Sequence, residues 1–277
     1  MCPLRDARSH PVNAPLLDTF SATDAGRSRS NNEDAVLLDA TVGLAVLADG
    51  MGGYNAGEVA SGMATQFICG ELGRWLREAP PGIGVAEVRR AMDICCDNAN
   101  RAIFNAANAN PQYAGMGTTL VVAVAHGQQL LVGHVGDARA YRWRAGALQQ
   151  ITRDHSLLQE QLDAGLITPA QAAASAHKNL VTRAVGVEDT VLLETHAHEL
   201  LGGDTYLLCS DGLSDMLSDA AIAHLLGQHA ASLTQAGQAL IAAANDAGGR
   251  DNISVVLLRF GGASPGAARS WWPFKRG

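Results

Sequence analysis

Acidic residues recur at one kind of place in this chain. Asp49-Gly50 follows the apolar run LAVLA, and Asp211-Gly212 follows YLLCS. Glu33-Asp34 precede an apolar stretch, Asp137 sits in VGHVGDARAY, and Asp251-Asn252 precede ISVVLLRF. Aspartate outnumbers glutamate 18 to 9. Composition alone predicts about two Asp-Gly pairs, so the pairs inform only through their context. A carboxylate at the end of a buried strand emerges at a sheet rim on rigid backbone, where a site is best built. Taken singly, each of these residues also reads as a turn former. Each glycine reads either as a turn with positive φ or as a residue that leaves a neighbouring carbonyl open to a metal. Gathered at one rim, the five clusters would repel one another unless cations neutralised them. They would then form an oxygen-rich site for two hard cations, which clamps a phosphate and makes hydroxide from bridging water at neutral pH.

The elements that must carry these residues follow from periodicity. Ala35–Leu38 and Gly43–Ala48 are predicted strands around a turn, the second apolar enough for burial on both faces. Helices are predicted over Glu58–Ala79, stopped by Pro80-Pro81-Gly82, and over Val85–Ala109, ended by Asn110-Pro111. Four strands follow without helices between them: Thr118–Ala125, Gln129–Val135, Ala138–Trp143 and Leu148–Ile151. Their short connectors suit hairpins, so antiparallel pairing is expected. Residues 152–183 turn polar and read as short helical pieces, an insertion that makes a mobile flap. Strands return at Val191–His198 and Thr205–Cys209, then helices at Ala220–Gly227 and Ser232–Ala247, then a strand at Ile253–Phe260. Strands in runs and helices in pairs argue for an α+β fold of two packed sheets, each covered by a helix pair.

Composition narrows the function classes. The chain has 277 residues, 47% of them hydrophobic and 17% charged, as in an ordinary globular protein with a substantial core. A net charge of −7 argues against general nucleic-acid binding. The longest pure apolar run, Leu120–Ala125, is too short to span a bilayer, and the N-terminus lacks the apolar core of a signal peptide. A soluble, cytoplasmic protein is expected. Five cysteines without a C-x-x-C argue against a disulfide framework or zinc ribbon. His196 and His198 mimic metal-ligand spacing on a predicted strand, but a structural role is expected of them.

In order along the chain, GRSRSNNED, VLADGMGGYNAGEVAS, MGTTLV, VGHVGDARAYRW, ITRDHSLLQEQLDAG, NLVTRAVG, LLCSDGLSD and GGRDNISVVLL resemble the blocks of bacterial metal-dependent protein phosphatases, the PPM or protein phosphatase 2C family. The resemblance covers about residues 19–260. It implies a four-layer αββα sandwich that removes phosphate from phosphoserine and phosphothreonine, by direct attack of a metal-bridging hydroxide, using two core Mn²⁺ or Mg²⁺ ions plus a weaker third. By the same resemblance Asp49 bridges two metals and the Gly50 carbonyl ligates one of them. Asp211 and Asp251 ligate the other, Glu33 and Asp34 act through metal-bound waters, and Asp137 with Asp211 holds the third ion. Arg29 matches the arginine that grips the substrate phosphate, a role that suits a guanidinium fork. Thr119 and Asn252 support the ligands. The implied partners are phosphorylated Ser/Thr proteins and a cognate Ser/Thr kinase, with the enzyme a monomer.

One position departs from the animal branch of that family. Met51 stands where those members carry a histidine proposed as general acid, and methionine cannot donate a proton. His155 is a candidate replacement, although a structural role is expected of it. Two other readings compete: a phosphatase dedicated to one regulator, such as an anti-anti-sigma factor, and a catalytically silent scaffold that binds phosphoproteins. The expected domain runs over residues 19–261, between a flexible arm, 1–18, and a flexible tail, 262–277, with an aromatic-basic tip, SWWPFKRG.

Overall fold

The computed structural model describes residues 17–53, 56–173 and 180–261. Eleven strands and seven α-helices fill them. The chain opens with β1 (Leu17–Asp24), β2 (Asp34–Asp39) and β3 (Leu44–Met51), then two long helices, α1 (Ala56–Glu78) and α2 (Val85–Ala109). The strands β4 (Gly117–Thr118), β5 (Leu120–His126), β6 (Gln129–Val135), β7 (Arg139–Arg144) and β8 (Ala147–Gln150) follow. Short helices α3 (Leu157–Asp163) and α4 (Pro169–Ala173) lead to β9 (Glu194–Glu199) and β10 (Thr205–Cys209). The chain finishes with α5 (Asp211–Ser214), α6 (Asp219–Gln228), α7 (Leu233–Asp246) and β11 (Ile253–Phe260).

One sheet has the order β1-β11-β10-β7-β8 and the other β2-β3-β5-β6-β9, with β4 added on β3. Every ladder is antiparallel, as the short connectors require. Strand alternation then builds three apolar layers. Ala45 and Leu47 of β3 face Tyr206, Val256 and Phe260 across the sandwich. Val46 and Leu44 point the other way, onto Ile68 and Leu72 of α1 and Ile103 of α2. Leu207 and Val255 pack on Ile222 of α6 and Leu240 of α7. This is why β3, β5, β10 and β11 read as unbroken apolar runs: each is buried on both faces, and each large side chain so buried contributes about 1.5–3 kcal/mol. The result is the α+β, four-layer αββα sandwich.

The strand β1 is a departure from the sequence reading. Leu17 and Asp18, placed there in the arm, pair with Phe260 and Arg259. LDTFSATD has little apolar content, and its place comes from the ladder with β11, a partner at the far end of the sequence. The predicted Thr118–Ala125 strand is divided at Thr119, where β4 turns away to pair with Gly50 and Met51. β9 begins at Glu194, later than expected, because Val191 and Leu193 pack against the α1–α2 layer before the ladder starts. The remaining arm and the tail, including its aromatic-basic tip, lie outside the described residues. Among the described residues no helix is long and apolar enough to cross a membrane.

Candidate active site

Antiparallel register brings the acidic clusters to one end of the sandwich. Asp34 is directly opposite Asp49 in the β2–β3 ladder. In the other sheet Cys209 is opposite both Arg139 and Val255. The chain therefore leaves β10 toward Asp211, enters β7 from Asp137 and enters β11 from Asp251 at that same end. Five aspartates from both sheets meet there, separated by most of the chain in sequence.

Their electrostatics records the meeting. Burial, and then the neighbouring charges of Asp34, Asp211, Asp137 and Asp251, push the Asp49 carboxyl well above the usual range. Burial, then Asp137, Asp215, Asp251 and Asp34, do the same to Asp211. Asp34 is pushed up to about 6, first by burial and against the hydrogen bonds it accepts. Asp137 also rises to about 6, by burial and by the charge of Asp154. Glu33 is raised as well, mainly by desolvation. Carboxylates crowded this way favour proton uptake, or a cation in place of the protons.

The supporting hydrogen bonds hold the backbone at this rim. Asp49 N–H donates to Thr119 Oγ1 at 3.2 Å, Thr119 N–H donates to Asp49 O at 2.8 Å, and Thr118 Oγ1 donates to the same carbonyl at 2.8 Å. Asn252 Oδ1 accepts from Glu33 N–H at 2.8 Å, while its Nδ2 donates to the carbonyls of Ala25 and Asn31. Asn252 thereby ties the start of β11 to the loop that carries Glu33. Ser210 Oγ donates to Asp34 Oδ2 at 2.7 Å and accepts from Ser254 N–H at 2.9 Å. Arg29 Nη2 donates to Asp251 Oδ2 at 2.7 Å, with the Arg29 side chain 49% exposed.

Both Asp-Gly glycines have a packing explanation. Neither Gly50 nor Gly212 has positive φ. A Cβ on Gly50 would lie 2.1 Å from Gly57 O and 2.6 Å from Glu33 O, and one on Gly212 would lie 2.0 Å from Asn252 O. Close backbone approach, not a left-handed turn, excludes any side chain there. The turn reading of these glycines is therefore corrected.

The donor set fits hard cations. It consists of carboxylate and carbonyl oxygens, and Asp34 Oδ1 is buried without a hydrogen-bond partner. A buried, unpartnered carboxylate oxygen facing other carboxylates is stable when a cation or a bound water completes it. The residues that can contribute are Asp49, the Gly50 carbonyl, Asp211, Asp251, Asp137, Glu33 and Asp34.

Several sequence candidates are placed elsewhere. His196 Nε2 hydrogen bonds Glu194 Oε1 at 2.9 Å on β9. The ring nitrogens of His155 are both engaged, with Gly136 N–H and with Glu194, and burial lowers its pKa. It is poorly suited to give a proton to a leaving group. Sequence reasoning missed Ser210, Thr118, Asp215 and Gly57. Ser210 was visible only as the residue before Asp211, and Gly57 only as a small residue opening α1.

The family model described as Protein phosphatase 2C matches residues 23–250. A serine/threonine phosphatase stp of Listeria innocua is 36% identical over 239 residues, 85% of this chain and 93% of that protein. The serine/threonine protein phosphatase PstP of Mycobacterium tuberculosis is 39% identical over 245 residues, 87% of this chain but 45% of that longer protein. The crystal structure of a PstP catalytic domain in complex with two manganese ions has a TM-score of 0.77 at 36% identity, covering 89% of this chain and 99% of that one. On the sandwich, the gathered carboxylates and these matches, the chain belongs to the protein phosphatase 2C family.

Proposed function

We propose that this chain is a metal-dependent protein-serine/threonine phosphatase whose site is the carboxylate rim. The observation that carries the reading is the convergence of Asp49, Asp34, Asp211, Asp137 and Asp251 from both sheets into one mutually perturbed cluster. Asp49, the Gly50 carbonyl, Asp211 and Asp251 would hold the two core cations, Glu33 and Asp34 would act through water, and Asp137 with Asp211 would hold a weaker third ion. Mn²⁺ or Mg²⁺ bound there supplies positive charge against phosphoryl oxygens and lowers the pKa of water.

The chain's own residues do the rest. Arg29 is anchored on Asp251 yet half exposed, so its remaining N–H groups can meet phosphate oxygens. Thr118 and Thr119 fix the Asp49 backbone, and Asn252 fixes the Glu33 loop. Buried carboxylates on rigid strand ends need little reorganisation when charge develops, which is the larger part of such catalysis. No side chain at position 51 can protonate the leaving group, so that proton comes from water or from another group. The flap, residues 152–183, contacts the phosphoprotein beside the site.

The substrates are proteins carrying phosphoserine or phosphothreonine. Kinase-type phosphoryl transfer makes those esters, so the enzyme opposes a Ser/Thr kinase in the cytoplasm. Helix pairs cover the outer faces of both sheets, which suits a monomer. A silent scaffold is disfavoured, since all the carboxylates are present and gathered. The test is p-nitrophenyl phosphate turnover with Mn²⁺ and with chelator, in wild type and in Asp49→Asn. Turnover that requires Mn²⁺ and is lost in the variant supports the reading. Turnover by a chelated protein, or none under any condition, rejects it.

A further inference from the structure

Three consecutive residues at the root of the flap are each held from a different side. His134 Nε2 lies 2.7 Å from Arg153 O and donates to it. Arg139 grips Asp154 with Nε at 3.0 Å and Nη2 at 2.6 Å. His155 is bracketed against the turn between β6 and β7: its N–H donates to Gly136 O at 2.9 Å, and its Nδ1 accepts Gly136 N–H at 3.2 Å. An Nδ1 that accepts leaves the ring proton on Nε2, which points to Glu194 Oε2 at 3.2 Å. Glu194, also bonded by His196, is held at about 2 despite partial burial, so it is a carboxylate acceptor at neutral pH.

His134, His155 and Glu194 lie within 4.8 Å of one another through single ligand atoms. They do not make a chelate. The two imidazoles stack at 4.7 Å with an interplanar angle of 19°. Lone pairs lie in the ring planes, so two stacked rings cannot aim them at one ion.

The turn that His155 grips carries Asp137. Gly136 has φ +97°, and its Cβ position lies 2.7 Å from Thr119 Cγ2, so the turn is pressed onto the residue that supports Asp49. Asp137 is itself buried among like charges, with Asp154 and Asp215 both acting on it. The flap's other root is tied in parallel. Thr182 N–H donates to His155 O at 2.8 Å, and Val185 and Thr118 exchange two backbone bonds at 2.8 and 3.0 Å.

We propose that His155 is a positioning residue for the weaker third cation: through Nδ1 it fixes the Gly136-Asp137 turn, and so sets the Asp137 carboxylate, from the root of the flap. The inference rests on the reading of Asp137 as a ligand of that ion. Partners that orient a ligand change metal affinity by about 10–100-fold when removed.

The experiment measures Mn²⁺ binding to the chelator-stripped full chain, from the electron paramagnetic resonance signal of free Mn²⁺. Release of phosphate from a phosphothreonine peptide is followed in parallel. His155→Ala keeps the two tight ions and weakens the third by about tenfold or more, with a matching rise in the Mn²⁺ needed for half-maximal turnover. His155→Asn places an amide oxygen near the Nδ1 position and returns the isotherm toward wild type. His155→Gln reaches toward Glu194 instead and leaves the third ion weak. If the alanine variant does not fold, the Asn and Gln variants carry the comparison. A wild-type isotherm for His155→Ala, or identical isotherms for Asn and Gln, overturns the proposal. Asp137→Ala, run alongside, separates the two failures. If it removes the third ion while His155→Ala is silent, only the role of His155 falls. If it leaves third-ion binding intact, the reading of Asp137 falls, and the inference with it.

Discussion

On the proposed reading Asp49 and Asp211 are the central cation ligands, and their removal then has a defined signature. Asp49→Asn or Asp211→Asn keeps the shape but loses a charged oxygen donor, so kcat should fall by about 10³ or more. Steady-state kinetics on folded, purified variants checks this, and near-normal activity in either would contradict the assignment. Arg29→Ala should mainly raise KM for a phosphopeptide, provided the contact is similar in ground and transition states. An unchanged KM would mean that the pair with Asp251 is only structural. These aspartates were legible because strand-end placement needs only local pattern. The reason for their glycines was not. A Gly50 forced by Gly57 O at 2.1 Å, or a Gly212 forced by Asn252 O at 2.0 Å, depends on backbone from elsewhere in the chain. Local sequence offered the turn as the readier explanation. Ser210 was hidden for the same reason: its hydrogen bond to Asp34 spans the interface between sheets.

Helices and doubly buried strands were the easiest elements to read. Val85–Ala109 has an apolar stripe and a clear Asn-Pro stop, and β6, β10 and β11 are apolar runs bounded by turn residues. β1 was missed, since LDTFSATD carries little apolar signal and is specified by β11. The flap lay between these cases. Its polarity and short helices marked it as an insertion, but the anchoring of Arg153, Asp154 and His155 could not be seen without the partners His134, Arg139 and Gly136. The described ends of this segment are tied to the Asp137 turn and to Thr118. If the segment is a substrate-contacting flap, exchanging residues 157–180 between those ends should change preference among phosphopeptides and spare p-nitrophenyl phosphate hydrolysis. Equal losses on both substrates, measured side by side, would make the segment structural.

Two sheets that each cover one face with helices and share the other leave the rim as the place where charge collects, and the stability of the whole molecule should report it. Asp34 and Asp137 sit at about 6 in the folded, metal-free chain, against about 3.9 in an unfolded one. The folded state thus binds more protons between those values. The stabilisation is full below the unfolded pKa and is lost as pH rises through about 6. Melting of the chelated protein should accordingly fall from pH 5 to pH 7, and Mn²⁺ should reverse the fall at pH 7, where it binds the folded site alone. A flat or rising profile would show that the carboxylates are not crowded in solution. If the acidic rim is a cation site on which phosphoester hydrolysis depends, phosphate release from a phosphothreonine peptide follows the return of Mn²⁺ to the chelator-stripped protein. No release is expected without the ion, and a saturable return of turnover with it. Full turnover before any ion is added would show that hydrolysis does not need a cation at this rim.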